Sequence, residues 1–308
     1  MQILITGTNG FVGHHLVHEL YKNGHKVIGI GGPQFADGNS RELADYLVCD
    51  LTDEAQVSAI DFKGVEAIIH LAALASVQLS FDQPAHFITT NGSIGVNLFE
   101  ALLRQGVHPR LVVVSSSDVY AHDQTLPISE NGICAATSPY VISKLLTEDI
   151  CEYYRTRGID CIVARPFNHI GPGQRPGFLL PDLAQLVHDA VKDKKELLVG
   201  NLKSKRDYTD VRDVVKAYRL LATAPKLGHT VYNICSGKSV AGEYFLDKLI
   251  QLMANDFKPA IKPDPKRIRP NDVPDRFGSA KRLLRETGWK PTIPLDQTIA
   301  DFVSNWQR

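Results

Sequence analysis

The sequence has no net charge, no long apolar run and no cysteine pairing pattern, and each absence removes a class of function. Lys plus Arg and Asp plus Glu both number 34, so no global field draws the chain to nucleic acid or to an anionic membrane. No apolar stretch approaches the roughly 18 residues of a spanning helix. The N-terminal MQILITGTNGFVGHHL lacks a basic n-region and reaches Gly7 at once, unlike a signal peptide. Cys49, Cys134, Cys151, Cys161 and Cys235 are odd in number and form no C-x-x-C, which suits a reducing compartment. No repeat or low-complexity tract is present. These absences predict a soluble cytoplasmic protein with a small-molecule ligand, no nucleic-acid partner and no membrane.

What is present is 308 residues, 44% of them apolar, enough to bury one large core or two intimate ones without disulfides or metals. The first half alternates short β-branched runs with longer helical patterns. Ile3-Leu4-Ile5, Lys26 to Ile30, Ala67 to Leu71, Leu111 to Val114 and Ile162-Val163-Ala164 read as strands buried on both faces. Over 11–23, Val12, Leu16 and Leu20 recur at helical spacing. This alternation predicts an α/β fold, a Rossmann-type doubly wound parallel sheet, over residues 1–166. After Arg165, prolines and glycines crowd into a long structured loop. Helices are expected at 210–224, 240–254, 279–286 and 295–306, in a smaller C-terminal α/β substrate lobe spanning 167–308. Part of 205–236 is free to return to the first domain. Residues 258–276 are Pro-rich and basic.

Gly7-Thr8-Asn9-Gly10-Phe11-Val12-Gly13 follows the first strand and opens the first helix. Glycines there permit φ > 0 and let backbone N–H groups approach a pyrophosphate, which the helix N-terminus also attracts. Gly7, Gly10, Phe11, Val12 and Gly13 are therefore expected to hold a dinucleotide. The second strand ends Gly29-Ile30-Gly31-Gly32. An NAD-selective site places an acid near position 31 to accept from the adenine ribose, and Gly31 cannot do so. Without that acid nothing repels a 2′-phosphate, so NADPH is expected, with NADH tolerated. Asp50 is either an adenine contact or a loop cap, with Leu51 beside it.

Tyr140 and Lys144, four residues apart, share a helix face. Thr137 or Ser138 supplies an N-cap and Pro139 suits the first helical position. An ammonium beside a phenol favours the phenolate, so Lys144 is expected to lower the pKa of Tyr140. Tyr244 and Lys248 repeat the spacing in a late amphipathic pattern and read as packing. Only Tyr140 lies shortly after a strand-end serine, Ser116, where α/β sheets place their chemistry. Ser116 can hydrogen-bond a carbonyl, and Asp118 follows as a turn acid.

Glycine loop, strand-end serine and Tyr-x-x-x-Lys together resemble the extended short-chain dehydrogenase/reductase superfamily, over essentially the whole chain. Arg165 to Gln174, Arg206 to Val211, Tyr232 to Gly237 and Gly288 to Pro291 resemble its nucleotide-sugar branch. The Asn168 segment and the Asn201-to-Arg212 segment are most similar to GDP-4-keto-6-deoxy-D-mannose reductases. The resemblance implies Ser116, Tyr140 and Lys144 as the catalytic set, with hydride delivered to C4 of a 4-keto-hexose. It implies that Lys144 also holds the nicotinamide ribose and that Leu71, Ala72 and Ala73 line the cofactor. It further implies Asn168, Arg206 and Arg269 on the substrate diphosphate, Asp272 on the nucleotide ribose, a GDP-linked substrate and a homodimer.

Departures from the family narrow the chemistry. Related 4,6-dehydratases carry Thr-Asp-Glu where this chain has Ser116-Ser117-Asp118, and Ser117 cannot replace the missing acid in water elimination. A 4-epimerase with tightly held NAD keeps the same triad and stays open, as does a dinucleotide sensor without turnover. His14, His15 and His18 follow the phosphate loop and read as helix residues, with no metal expected. Asn91-Gly92-Ser93 is a glycosylation sequon only on paper.

Overall fold

A computed structural model describes residues 1–32, 41–254, 257–264 and 273–306. Its first half builds the strands and helices β1 (Gln2–Thr6), α1 (Phe11–Lys22), β2 (Lys26–Gly31), β3 (Asp45–Val48), α2 (Glu54–Ser58), β4 (Ala67–His70), α3 (Val77–Asp82), α4 (Pro84–Gln105), β5 (Arg110–Val114), α5 (Pro139–Thr156) and β6 (Cys161–Pro166). The second half adds β7 (Asn168–Ile170), α6 (Leu179–Asp193), β8 (Leu197–Val199), β9 (Lys205–Asp210), α7 (Val211–Thr223), β10 (Val231–Ile234), β11 (Ser239–Ala241), α8 (Gly242–Met253), β12 (Ile261–Pro263), β13 (Asp275–Arg276), α9 (Lys281–Thr287) and α10 (Leu295–Trp306).

The main sheet has seven strands in the order β10-β6-β5-β4-β1-β2-β3, all parallel. This is the Rossmann-like doubly wound arrangement. Ile3, Ile5, Val112 and Ala164 pack on one face against α1 and α7, while Leu4, Ile68, Leu111 and Val113 face α2, α4 and α5. Burial on both faces explains why these strands are continuous apolar runs. The strand order reverses between β1 and β4, opening a crevice at their C-terminal ends.

β10 extends this sheet from the second half of the chain, beside β6, and α7 lies against α1 with Arg219 Nε 2.8 Å from Glu19. Asp213, fully buried on α7, accepts from the backbone N–H groups of Thr292 and Ile293. Trp289 Nε1 donates to the Asp213 carbonyl at 2.9 Å. The Gly288-to-Pro291 motif thus anchors the C-terminal segment. A second sheet, β11-β9-β13 with β7 also on β9, shares a separate core with α6, α8 and α10. β8 and β12 pair apart from it. Among the described residues no helix is long and apolar enough to cross a membrane.

Candidate active site

The turn after β1 is built by close backbone approach. Gly7 sits at φ +77°, and a Cβ on it would lie 2.9 Å from the backbone nitrogen of Ala72. A Cβ on Gly13 would lie 2.5 Å from the carbonyl oxygen of Gly7. Gly10 stands at the N-cap of α1 without a side chain, so its own residue does not compete for the first-turn N–H groups. Leu71, Ala72 and Ala73 follow β4 directly beside this turn, with Ala72 N–H donating to Thr6 Oγ1 at 3.2 Å. Uncapped helix end, glycine cradle and crevice together fit a dinucleotide pyrophosphate.

At the end of β2 a Cβ on Gly31 would lie 2.0 Å from Asn9 Oδ1 and 2.6 Å from Tyr46 Oη. Tyr46 Oη lies within donating distance of Asn9 Oδ1 and of the Gly32 carbonyl, at 2.7 and 2.6 Å, with one hydrogen to share between them. The space beside Gly31 is thus filled by the ends of the Asn9 and Tyr46 side chains, which would have to turn aside for the acid of an NAD-selective site. Asp50 caps its loop through Oδ1, which accepts from the backbone N–H and hydroxyl of Thr52, and Leu51 beside it is buried in the sheet core.

Ser116, Tyr140 and Lys144 come together at the C-terminal end of β5. Ser138, rather than Thr137, caps α5 by accepting from Val141 N–H, and Pro139 occupies the first turn. Tyr140 and Lys144 then project from one face, with Lys144 Nζ 5.9 Å from the Tyr140 ring centroid. Ser116 lies near enough to the Tyr140 hydroxyl to favour its ionised form. Lys144 Nζ donates to the Val114 carbonyl at 2.9 Å. The three side chains belong to residues only 9%, 7% and 5% exposed, so charges here act through little water.

That dryness reverses one expectation. Burial, reinforced by Asp118, pushes the Tyr140 phenol above its ordinary pKa, against a smaller lowering from Ser116. Burial also lowers Lys144, to about 8, which leaves its ammonium in place at neutral pH. Tyr140 is thus held protonated, the form that can donate to a carbonyl oxygen. His70, bonded to Thr6 Oγ1 at 2.7 Å, is driven down to about 3 by burial and by Lys144, and so stays neutral.

The second sheet carries Asn168 and Arg206, two of the residues expected on the diphosphate. Asn168 pairs with Tyr208 across β7 and β9, and Arg206 lies two residues back on β9, on the same strand face. Arg206 Nη1 donates to the Lys205 and Val273 carbonyls. Arg269 and Asp272 lie outside the described residues. Sequence reasoning missed Arg276, which pairs beside Arg206, is buried, and donates to the Ser117 and Tyr120 carbonyls. It also read Asn91 only as a sequon. Asn91 is interior, donating to Ser143 Oγ and the Leu74 carbonyl and accepting from Leu74 N–H, and thus ties α4 and the loop after β4 to α5. No sequence signal marks either, because the partners are distant in the chain. Of the three histidines after the glycine loop, His15 meets the Pro172 carbonyl and His18 meets Glu42.

A family model described as the NAD dependent epimerase/dehydratase family matches residues 3–235. The chain belongs to this family. Among the epimerase/dehydratase relatives is the GDP-6-deoxy-D-mannose reductase of Pseudomonas aeruginosa, 33% identical over 313 residues that cover 99% of this chain and 97% of that protein. The structure of RMD from Pseudomonas aeruginosa complexed with NADPH superposes with a TM-score of 0.86 at 32% identity, covering 100% and 99% of the two chains. UDP-glucose 4-epimerase from Thermotoga maritima, solved with UDP-glucose, gives 0.84 at 29% identity over 100% and 99%. The NAD-dependent epimerase/dehydratase family thus includes both reductases and epimerases acting on nucleotide sugars.

Proposed function

We propose that the chain is an NADPH-dependent nucleotide-sugar 4-ketoreductase, with NADH as a poorer donor, converting GDP-4-keto-6-deoxy-D-mannose to GDP-6-deoxy-mannose (GDP-rhamnose). The observation that carries this over a 4-epimerase is Gly31 at the end of β2, which offers no carboxylate to the adenine ribose and whose flank is occupied by Asn9 and Tyr46. The 33% identity to a GDP-6-deoxy-D-mannose reductase supports the substrate.

A bound dinucleotide supplies the hydride in this chemistry. Gly7, Gly10, Phe11, Val12 and Gly13 hold its pyrophosphate, Leu71 to Ala73 line it, and Lys144 contacts its nicotinamide ribose. Ser116 Oγ hydrogen-bonds the ketone oxygen, and the Tyr140 phenol donates its proton to that oxygen as it becomes an alcohol. Lys144, charged below about pH 8, stabilises the phenolate left behind. Asn168 and Arg206 hold the diphosphate in the lobe formed mainly by residues 167–308, joined on resemblance by Arg269, with Asp272 accepting from the nucleotide ribose. A second copy covers the α4–α5 face, where Val96, Ile142 and Tyr153 are exposed.

The test presents GDP-4-keto-6-deoxy-D-mannose with NADPH or NADH, and UDP-glucose with neither, to the same preparation. Faster oxidation of NADPH in step with ketone loss is expected. UDP-galactose formation without ketone reduction would replace this reading with the epimerase. Light scattering checks the dimer, which a monomer at assay concentrations would contradict.

A further inference from the structure

Behind Lys144 lies an ion pair that the proton transfer does not itself use. Glu148 stands one turn further along α5, on the face shared by Lys144. Arg165 on β6 grips it in a fork, Nε to Oε1 at 2.9 Å and Nη2 to Oε2 at 2.5 Å. Ser115 Oγ donates to the same Oε1 at 2.5 Å. The two charged side chains are only 8% and 12% exposed.

Fold stability alone does not account for such a pair. Desolvating two charges costs about what their attraction returns, and apolar replacements of similar volume are often as stable. Its orientation is informative. The Arg165 guanidinium lies 4.9 Å from the Tyr120 ring centroid, while the Glu148 carboxylate, one turn along from Lys144, acts on the lysine's charge. Ser115 immediately precedes Ser116, so one carboxylate joins the helix bearing Tyr140 and Lys144 to the strand end bearing Ser116.

We propose that Glu148 is a positioning residue: locked by Arg165 and Ser115, its carboxylate sets the charge beside Lys144 and seats Ser116 against Tyr140. The proposal rests on Ser116, Tyr140 and Lys144 being the proton-transfer group. The other groups around the lysine cannot take this part. From β4, His70 is neutral; on α5 itself Tyr140 is protonated, and Asp118, in the turn after β5, acts on Tyr140. Tyr218 on α7, within the field of Tyr140, is buried and uncharged. Among the described residues Glu148 is the carboxylate whose charge raises Lys144 against its burial.

Glu148→Gln preserves shape and removes the charge, leaving the Arg165 cation unbalanced. The alkaline limb of kcat/KM should move about one pH unit or more below that of the parent, an approximately tenfold loss at the parent's limb that is regained toward pH 6. Glu148→Asp should give an intermediate limb and partial rescue. Lys144 is also titrated without turnover, by NMR of 13C-labelled lysine in the full chain, assigned with Lys144→Arg. Its midpoint should fall in Glu148→Gln. This readout survives even if the substrate assignment fails, so the two failures are distinguishable. A lower melting temperature with an unmoved lysine midpoint would make Glu148 merely structural and overturn the proposal. Should Glu148→Gln not fold, Glu148→Asp with a parental midpoint and parental limb overturns it equally.

Discussion

Gly13→Ala separates backbone crowding at the cofactor turn from ordinary helix chemistry. In a helix alanine is favoured over glycine by about 1 kcal/mol, so without neighbours the change should stabilise α1. The added Cβ, however, would lie 2.5 Å from Gly7 O, 2.6 Å from Thr8 O and 2.7 Å from Thr8 Cα. All three are backbone atoms and cannot rotate aside. Reaching ordinary contact requires about 1 Å of separation between α1 and the turn, an overpacking cost of about 1–3 kcal/mol. That opening also displaces the N–H groups that face the pyrophosphate. NADPH affinity should fall by roughly tenfold or more, tenfold corresponding to about 1.4 kcal/mol. Gly95→Ala is the control: its Cβ would meet only Ile150, at 3.8 Å, so it should stabilise or leave stability unchanged and bind NADPH normally. Fluorescence titration of NADPH, with thermal melts, reads both variants. A Gly13→Ala protein that melts higher and binds NADPH like the parent would refute the crowding argument.

Tyr140→Phe should retain NADPH binding and lose at least ~100-fold in kcat, as for a lost acid–base group; near-normal turnover would remove Tyr140 from its assigned role. Because the Lys144 ammonium is lost as pH rises through about 8, kcat/KM should fall above that pH, and a profile flat to pH 10 would contradict it. Asn91→Ala strands the Leu74 backbone groups and Ser143. It should cost about 1–3 kcal/mol in denaturant unfolding, and an unchanged midpoint would show that those groups find other partners.

The main sheet was legible because its central strands carry unbroken apolar runs, as at Ile3 to Ile5 and Leu111 to Val114, and its helices keep period 3.6. The late helices were legible for the same reason: the 210–224 expectation meets Val211–Thr223, and 295–306 meets Leu295–Trp306. The second sheet was not. Its strands are two to six residues long and pair across gaps that no local pattern encodes: β13 on β9 joins residues 275 and 205. The short strand β7 lay unseen within what read as a long loop.

At the site, the glycine turn and the Tyr140–Lys144 face were readable because their geometry is local. The direction of the Tyr140 shift was not, since burial is a property of the assembled fold and outweighed the expected ammonium. Arg276 and the Glu148–Arg165–Ser115 cluster were invisible for a related reason. Each is a meeting of residues 17 or more apart.

The most direct test of the ketoreductase assignment follows the hydride itself. NADPH carrying deuterium on the transferred face at C4 of the nicotinamide is mixed with GDP-4-keto-6-deoxy-D-mannose, and the product is read by NMR and mass spectrometry. The account predicts one deuterium at C4 of the hexose for each NADPH oxidised. A product without deuterium, or interconversion of nucleotide sugars with no net NADPH consumed, would contradict it.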